Sequence, residues 1–117
     1  MTGNKIDALK KKYPIILEEV SDIECDDGWA SIIEGCIRLV DRHSSLTKKG
    51  IKIKQIKEKF GRLRIYSSRN DDYTFGVAEM AEYLSELTCE TCGERGELRT
   101  NRRWVKTLCD GHYIFEE

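Results

Sequence analysis

The 117-residue sequence predicts a small single domain of the α+β class. Three patterns carry this prediction. Apolar residues recur at helical spacing within residues 4–40, apolar and charged residues alternate within residues 51–66, and the chain beyond residue 88 is rich in cysteine. We therefore divide the domain into a helical part (1–47), a β-hairpin (48–67), a helix (72–88) and a cysteine-rich unit (89–117).

The helical part is predicted to contain two amphipathic helices. Pro14 interrupts the first apolar stripe, so one helix should end before it and a helical turn should begin at it. Asp26 or Asp27 can cap the start of the second helix. The first stripe consists of Ile6, Leu9, Tyr13, Ile16, Leu17 and Val20, and the second of Trp29, Ile32, Ile33, Cys36, Ile37 and Val40.

The stretch IKIKQIKEKFGRLRIY, residues 51–66, has the alternation of half-buried strands, and Gly61 supplies the reversal between them. Because Ile56 falls on the face opposite to Ile53, we expect a bulge or kink near Gln55.

On the second strand of this hairpin, Leu63 and Ile65 are predicted to face the core, and Arg62, Arg64 and Tyr66 are predicted to face outward. After the loop SSRNDDYT, a further apolar pattern predicts another helix. Its members are Val77, Met80, Ala81, Leu84 and Leu87.

The cysteine-rich unit contains two pairs of potential metal ligands. Cys89-x2-Cys92 is followed by sixteen residues and then by Cys109-x2-His112. This spacing is typical of a tetrahedral structural zinc site of the Cys3His type, because each pair points two donor atoms at one centre. The segments GELRT and RRWVKTL are predicted as two short strands, and CDGHYIFEE as a final short helix. A knuckle, a hairpin and a helix in this order predict a treble-clef-like zinc finger.

Two other interpretations of the cysteines are weaker. A disulfide between Cys89 and Cys92 would form a thioredoxin-like redox motif, but no βαβ pattern surrounds it. A catalytic Cys109–His112 pair would need a third, orienting group, and it would leave the other two cysteines unexplained. Cys36 lies on the apolar stripe of the second helix, where it is predicted to be a small buried residue.

No catalytic constellation is recognisable, and we expect no enzyme activity. A zinc ion with four protein ligands has no position for a reacting water, so zinc should stabilise the fold. His43 is expected to interact with the C-terminal end of its helix. No signal peptide or membrane span is visible, and an odd number of cysteines favours a cytoplasmic protein with reduced thiols.

The motifs resemble those of a family of small uncharacterised bacterial and phage proteins. The resemblance rests on DGW at a helix start, QIKEKFGRLRIY on a hairpin, and CETCG, GELR and WVKTLCDGH in the cysteine-rich unit. These blocks cover about residues 27–112. The resemblance implies that the hairpin and the zinc knuckle belong to one structural unit.

Charge is balanced overall but not locally. The formal net charge is −1, yet residues 48–64 contain eight basic residues against Glu58 alone, and residues 18–34 contain seven acidic residues and no basic one. The simplest interpretation is two solvated faces that are neighbours in the fold.

Two classes of binding function remain open. The favoured hypothesis is a non-catalytic protein-interaction module, such as an inhibitor, immunity or regulatory factor; the alternative is nucleic-acid binding through the basic hairpins. Trp104 and Tyr66 are candidate aromatic anchors, although Trp29 and Trp104 are each better explained as core residues. The candidate partner-binding residues are Lys52, Lys54, Lys57, Lys59, Arg62, Arg64, Tyr66, Arg99, Arg102 and Arg103.

Overall fold

The computed structural model describes residues 1–115 and confirms the α+β class. A 3-10 turn lies at Asp27–Trp29. None of the helices in the described part of the chain combines the length and the apolar character that a membrane span requires. The helices are α1 (Gly3–Lys12), α2 (Ala30–Thr47), α3 (Asp72–Ser85) and α4 (Asp110–Phe115). The strands are β1 (Ile53–Lys59), β2 (Arg62–Ser67), β3 (Glu97–Arg99) and β4 (Lys106–Leu108).

The N-terminal region folds as its apolar spacing predicts. Helix α1 ends at Lys12, and the chain continues in turns through residue 19, as expected from Pro14. All six residues of the first stripe are buried. In the second stripe only Ile32 is partly buried, and the other five residues are in the core.

The predicted aspartate cap of α2 is wrong. The helix begins with the 3-10 turn, and no side chain caps either element. Asp27 Oδ1 instead accepts a hydrogen bond from the Thr2 backbone N–H at 2.9 Å, while the Asp26 backbone N–H donates to Glu90 Oε2 at 3.1 Å. The two aspartates therefore connect this segment to other parts of the chain.

The first hairpin has the predicted irregularity. Strands β1 and β2 are antiparallel, and their register shifts between Ile53 and Gln55, so that both Ile53 and Ile56 are buried. The reversal uses Phe60 and Gly61, both at positive φ, as in the two-residue turns that match strand twist. Leu63 is fully buried.

Ile65 is partly buried against the core, as expected for the inner face of β2, and Tyr66 is exposed. Helix α3 ends at Ser85, before the predicted residue 88, because residues 86–89 turn toward the cysteine-rich unit. Its apolar spacing predicts the helix correctly. Only part of the stripe is covered, however: Ala81 is buried, whereas Met80 is 58% exposed.

The second hairpin and the final helix lie where the sequence predicts them. Strands β3 and β4 pair antiparallel, from Glu97 opposite Leu108 to Arg99 opposite Lys106. Strand β4 is shorter than the predicted strand RRWVKTL, because residues 100–105 form the loop between β3 and β4. Helix α4 accounts for most of the predicted CDGHYIFEE helix, whose last two residues, 116 and 117, lie outside the described residues.

Candidate metal centre

The first pair of donors lies in a knuckle that follows α3. Gly93 N–H donates to Cys89 O at 2.9 Å, and Cys89 N–H donates to Glu94 O at 2.7 Å, which closes the turn between the two cysteines. Gly93 has φ +83°, in the left-handed region that favours glycine. The backbone conformation after the C-x-x-C motif therefore favours glycine at this position.

The second pair of donors lies where β4 passes into α4. Cys109 directly precedes the helix, and its carbonyl accepts from Tyr113 N–H at 2.9 Å. His112 is in the first turn, and its backbone N–H points at Cys109 Sγ at 3.5 Å. The helical turn thus places the sulfur and the imidazole on one side of the chain.

The four side chains converge on one point. All their donor atoms lie within 4.8 Å of one another. Cys92 Sγ and Cys109 Sγ are 3.8 Å apart, and His112 Nδ1 is 3.7 Å from Cys89 Sγ and 3.2 Å from Cys109 Sγ. In a tetrahedral site with Zn–S bonds of about 2.3 Å, two sulfurs are about 3.8 Å apart, and a sulfur and a nitrogen about 3.5 Å. The arrangement therefore fits a metal of zinc's size and geometry.

The electrostatics of the knuckle favour a thiolate at Cys89. Burial raises the pKa of this thiol. Hydrogen bonds from the backbone N–H groups of Cys109, Cys92 and Thr91 lower the pKa by more than burial raises it, so the pKa is lowered to about 7. A thiolate is the form in which cysteine binds a metal.

The remaining cysteines have the opposite environment. Cys25 and Cys36 are buried in the core, and burial raises the pKa of each thiol to about 12. Cys36 is the small buried residue that the apolar stripe predicts. All five cysteines are free thiols, so the structure contains no Cys89–Cys92 disulfide.

The DGW segment before α2 supports the knuckle from the core side. Gly28 N–H donates to Glu90 O at 2.7 Å, and Trp29 Nε1 donates to Thr88 O at 2.8 Å. A Cβ on Gly28 would lie 2.2 Å from Cys89 O, so only glycine allows this approach. Sequence reasoning missed this contact, because nothing local in DGW indicates a partner some sixty residues away.

Glu90 is a second support that sequence reasoning did not identify. It is 3% exposed, and burial raises the pKa of its carboxyl group. Its backbone N–H donates to Thr107 O at 2.9 Å, and its carboxylate accepts from Asp26 N–H. Glu90, the first of the two residues between the knuckle cysteines, thereby connects β4 to the segment before α2.

The two hairpins also touch. Thr107 Oγ1 donates to Gly61 O at 2.8 Å, and a Cβ on Gly61 would lie 2.7 Å from Leu98 Cδ1. The turn of the first hairpin therefore rests on the second hairpin, next to the metal centre.

Most predicted partner-binding cations of the first hairpin have acidic neighbours. Lys52 pairs with Glu18 at 3.0 Å, and Lys54 pairs with Glu19 at 2.6 Å. The acidic segment thus lies beside the basic strand, as the simplest interpretation of the charges predicts. Two further pairs link the hairpin to α3: Arg62 with Glu86 at 2.9 Å, and Arg64 with Glu82 at 3.5 Å.

Arg99 has a structural position. Its side chain is 13% exposed, and its guanidinium donates to Asp110 Oδ1 at 2.8 Å and to Leu108 O at 3.1 Å. It also lies 4.4 Å from the centre of the Tyr113 ring. These contacts hold β3 against α4, the helix that carries His112.

The remaining predicted partner-binding cations lie on β1 and in the loop between β3 and β4. Lys57 is half-buried and lies over the Tyr66 ring at 5.9 Å, and Lys59 is exposed and lies over Phe60 at 5.8 Å. Arg102 and Arg103 are in the loop between β3 and β4, where Arg102 is half-buried and Arg103 is exposed.

The core assignment is right for Trp29, which is fully buried, and wrong for Trp104, which is 70% exposed. Trp104 falls in the β3–β4 loop, where no apolar layer covers it.

His43, expected from the sequence to interact with the C-terminal end of α2, has two side-chain contacts outside that helix. Its Nε2 lies 2.7 Å from Asp71 Oδ2, and its ring stacks on Tyr73 at a centroid distance of 4.3 Å. It connects α2 to the start of α3.

Comparison with protein-family models, with curated proteins and with solved structures found no match to this chain. The assignment of the centre therefore rests on its donor set and geometry. Three sulfurs and one imidazole within a tetrahedral spacing form a site for a single metal ion.

Proposed function

We propose that the chain is a non-catalytic, zinc-stabilised protein-interaction module. The donor set supports zinc, because three cysteines and a histidine suit a borderline-soft ion in tetrahedral geometry. When bound, the ion would supply crosslinks between the knuckle and α4. Four protein donors would leave no position for a reacting water, so the ion would have a structural role.

Native mass spectrometry of the purified chain tests the metal. We expect one zinc ion per chain, lost in the Cys92→Ser variant and retained in Glu94→Ala, which changes an exposed non-ligand of the same knuckle. A chain that folds without metal, or that binds a different ion in preference, would contradict this part of the proposal.

The observation that favours protein binding is an exposed patch at the end of the two hairpins. We call Lys59, Phe60, Arg103 and Trp104 the hairpin-tip patch. Phe60 is 64% exposed and Trp104 is 70% exposed. The contact of Gly61 with Val105 and Lys106 brings the neighbouring Phe60 and Trp104 to the same end of the molecule. Tryptophan and arginine are the residues most enriched at energetically dominant positions of protein interfaces.

The paired charges argue against a long-range attraction to nucleic acid. Lys52 and Lys54 lie within ion-pairing distance of Glu18 and Glu19, so the fields of these opposite charges cancel beyond about one Debye length of 8 Å at physiological salt. A phosphate backbone would meet a neutralised surface at this end of the first hairpin.

Nucleic-acid binding at the hairpin-tip patch is the second candidate. Aromatic side chains next to cations can stack on the bases of a single strand, at about 1–3 kcal/mol per base. Fluorescence anisotropy with single-stranded DNA and RNA at low salt separates the two candidates. We expect no binding; binding that weakens steeply with salt and is lost in Trp104→Ala would establish the alternative instead.

The partner class is proposed from the resemblance to bacterial and phage proteins, which suggests an inhibitor, immunity or regulatory role in phage–bacterium or toxin conflict. The test is affinity capture from a bacterial lysate with the wild-type chain and with Trp104→Ala. We expect a stoichiometric protein that Trp104→Ala loses and Tyr66→Ala, an exposed aromatic away from the patch, retains. Equal capture by all three chains would exclude the hairpin-tip patch as the docking surface.

A further inference from the structure

The outer face of α3 is more apolar than that of a solvated helix. Tyr73, Met80, Tyr83 and Leu84 are between 41% and 58% exposed. Positions 73, 76, 80 and 83 follow the alternating three- and four-residue steps of a helix that packs against another helix. This row differs from the apolar residues through which α3 contacts the chain's own core, which are Ala81 and Val77.

Helix α2 continues the same surface. A groove of about 480 Å³ runs between α2 and α3, lined mainly by apolar groups. On the α2 side it includes Ile32, Cys36 and Leu39, of which Leu39 is 41% exposed. We call the outer surface of α2 and α3 the helix-pair face.

Gly76 leaves the backbone of α3 uncovered beside the groove. It lies within α3 and lines the groove, and a Cβ built on it would meet nothing within 4 Å. A second helix could therefore approach the backbone of α3 closely at this position.

The charges on this face have opposite signs on the two helices. Arg38 and Arg42 are exposed on α2, and Asp72 and Glu79 are exposed on α3. Within residues 1–115 none of these four side chains makes an ion pair. The two helices are antiparallel neighbours, with His43 stacked on Tyr73.

That stacking places residue 43 of α2 beside residue 73 of α3, which gives an approximate level for the charges along the two helices. With a rise of about 1.5 Å per residue, Arg42 and Asp72 lie within about 3 Å of one level, and Arg38 and Glu79 within about 2 Å of another. Each arginine therefore has an acidic residue at its own level on the other helix.

We propose that the helix-pair face is a homodimer interface whose two-fold axis runs parallel to the helices. This operation places α2 of one copy over α3 of the other without changing the level of any residue. Arg42 of each copy then meets Asp72 of the other, and Arg38 meets Glu79. The product is an antiparallel four-helix arrangement that covers the exposed apolar row.

The arrangement of charges favours a second copy of this chain as the partner and a two-fold axis parallel to the helices. A two-fold axis perpendicular to the helices would place α2 over α2 and α3 over α3, which brings like charges together. A foreign helix of one charge sign would be repelled by one of the two helices. A second copy carries both signs in the complementary order. This interface lies apart from the hairpin-tip patch and does not depend on the proposed function.

Sedimentation equilibrium over a concentration series tests the proposal. We expect the wild-type chain to approach twice its 13.6 kDa mass, and Met80→Glu, which changes an exposed residue, to raise the dimer dissociation constant by about tenfold or more. Tyr66→Ala, on the first hairpin, should dimerise as the wild type does. Circular dichroism checks that each variant remains folded.

Charge reversal tests the axis. Arg38→Glu alone and Glu79→Arg alone should each weaken the dimer by about tenfold, and the double variant should recover it. A wild-type chain that stays monomeric, or a dimer that Met80→Glu leaves intact, would overturn the proposal. A monomer that captures a different protein through Met80 would assign the face to a foreign partner. A double variant weaker than either single variant would exclude this axis.

Discussion

The helical part with the first hairpin and the cysteine-rich unit are stabilised in different ways. All eighteen residues of the apolar core cluster precede residue 82, and they come from α1, α2, α3, the first hairpin and the segments between them. Beyond residue 88, the buried residues of the described chain are Cys89, Glu90, Gly96, Thr107 and Leu108. The second region buries too little apolar surface to order itself by the hydrophobic effect.

This difference indicates which substitutions should destabilise each region. The first region depends on packing, so its weak points are large buried side chains. With the proposed zinc bound, the second would depend on four donor atoms and on the backbone contacts that Gly28 and Trp29 make with the knuckle. A perturbation of the metal should therefore act on residues 88–115 before it acts on the core.

The largest effect should follow loss of a metal ligand. Cys92→Ser changes an exposed side chain, so its cost comes almost entirely from the metal. Structural zinc contributes on the order of 10 kcal/mol in small zinc domains, and we expect residues 88–115 to lose their fixed structure. Thermal unfolding with matched metal analysis checks this, with Glu94→Ala as the control. A metal-free Cys92→Ser chain as stable as the control would contradict it.

A core truncation should destabilise the whole chain. Trp29 is fully buried, and Trp29→Ala should lower the free energy of unfolding by about 3–5 kcal/mol. Trp29→Phe keeps most of the packing but leaves Thr88 O without its donor, and it should cost about 1–3 kcal/mol. Urea denaturation measures both variants. If Trp29→Phe cost as much as Trp29→Ala, the hydrogen bond and not the packing would dominate at this residue.

The addition of one methyl group at Gly28 should disrupt the contact between this segment and the knuckle. In Gly28→Ala the new Cβ would lie 2.2 Å from Cys89 O and 2.4 Å from Glu90 O, both backbone atoms. We expect a loss of about 1–3 kcal/mol and weaker metal retention, measured by denaturation and chelator competition. Gly35→Ala is the matched control, because its Cβ meets nothing within 4 Å and should stabilise α2. Equal stability of the two variants would show that the approach of Gly28 to the knuckle is not close.

The smallest effect should follow loss of the charge on Asp71. The Lys49 ammonium, the His43 ring and the Thr74 backbone N–H hold the pKa of Asp71 well below its usual range. Its contribution to stability is therefore present above a pH of about 4 and is lost as the pH falls toward the folded pKa. Asp71→Asn should lower stability at neutral pH and flatten this part of the stability profile, whereas exposed Asp7→Asn should leave it unchanged. Parallel profiles for Asp71→Asn and wild type would contradict the assignment.

Local patterns predicted most of the first region and the ligand set. The helical stripe of α2, the irregularity at Gln55 and the paired ligand motifs depend on spacing along a short stretch of chain, and each is found in the structure. The relation of Lys52 and Lys54 to the acidic segment was predicted only as proximity, since charge runs do not specify partners.

Features set by long-range contacts could not be predicted in this way. The approach of Gly28 to the knuckle joins segments some sixty residues apart. The usual burial of tryptophan predicts a core position for Trp104, but this residue lies in a loop that no other element covers and is exposed. Met80 has the spacing of an inner face, but spacing cannot show whether the chain itself or a second molecule covers that face.

The most direct test of the central claim is amide hydrogen exchange of the wild-type chain with and without a metal chelator. We predict that chelation removes protection from residues 88–115 while the core segments of α2 and the first hairpin keep theirs. Unchanged protection of residues 88–115 after verified metal removal would contradict the claim that metal ligation holds this region together.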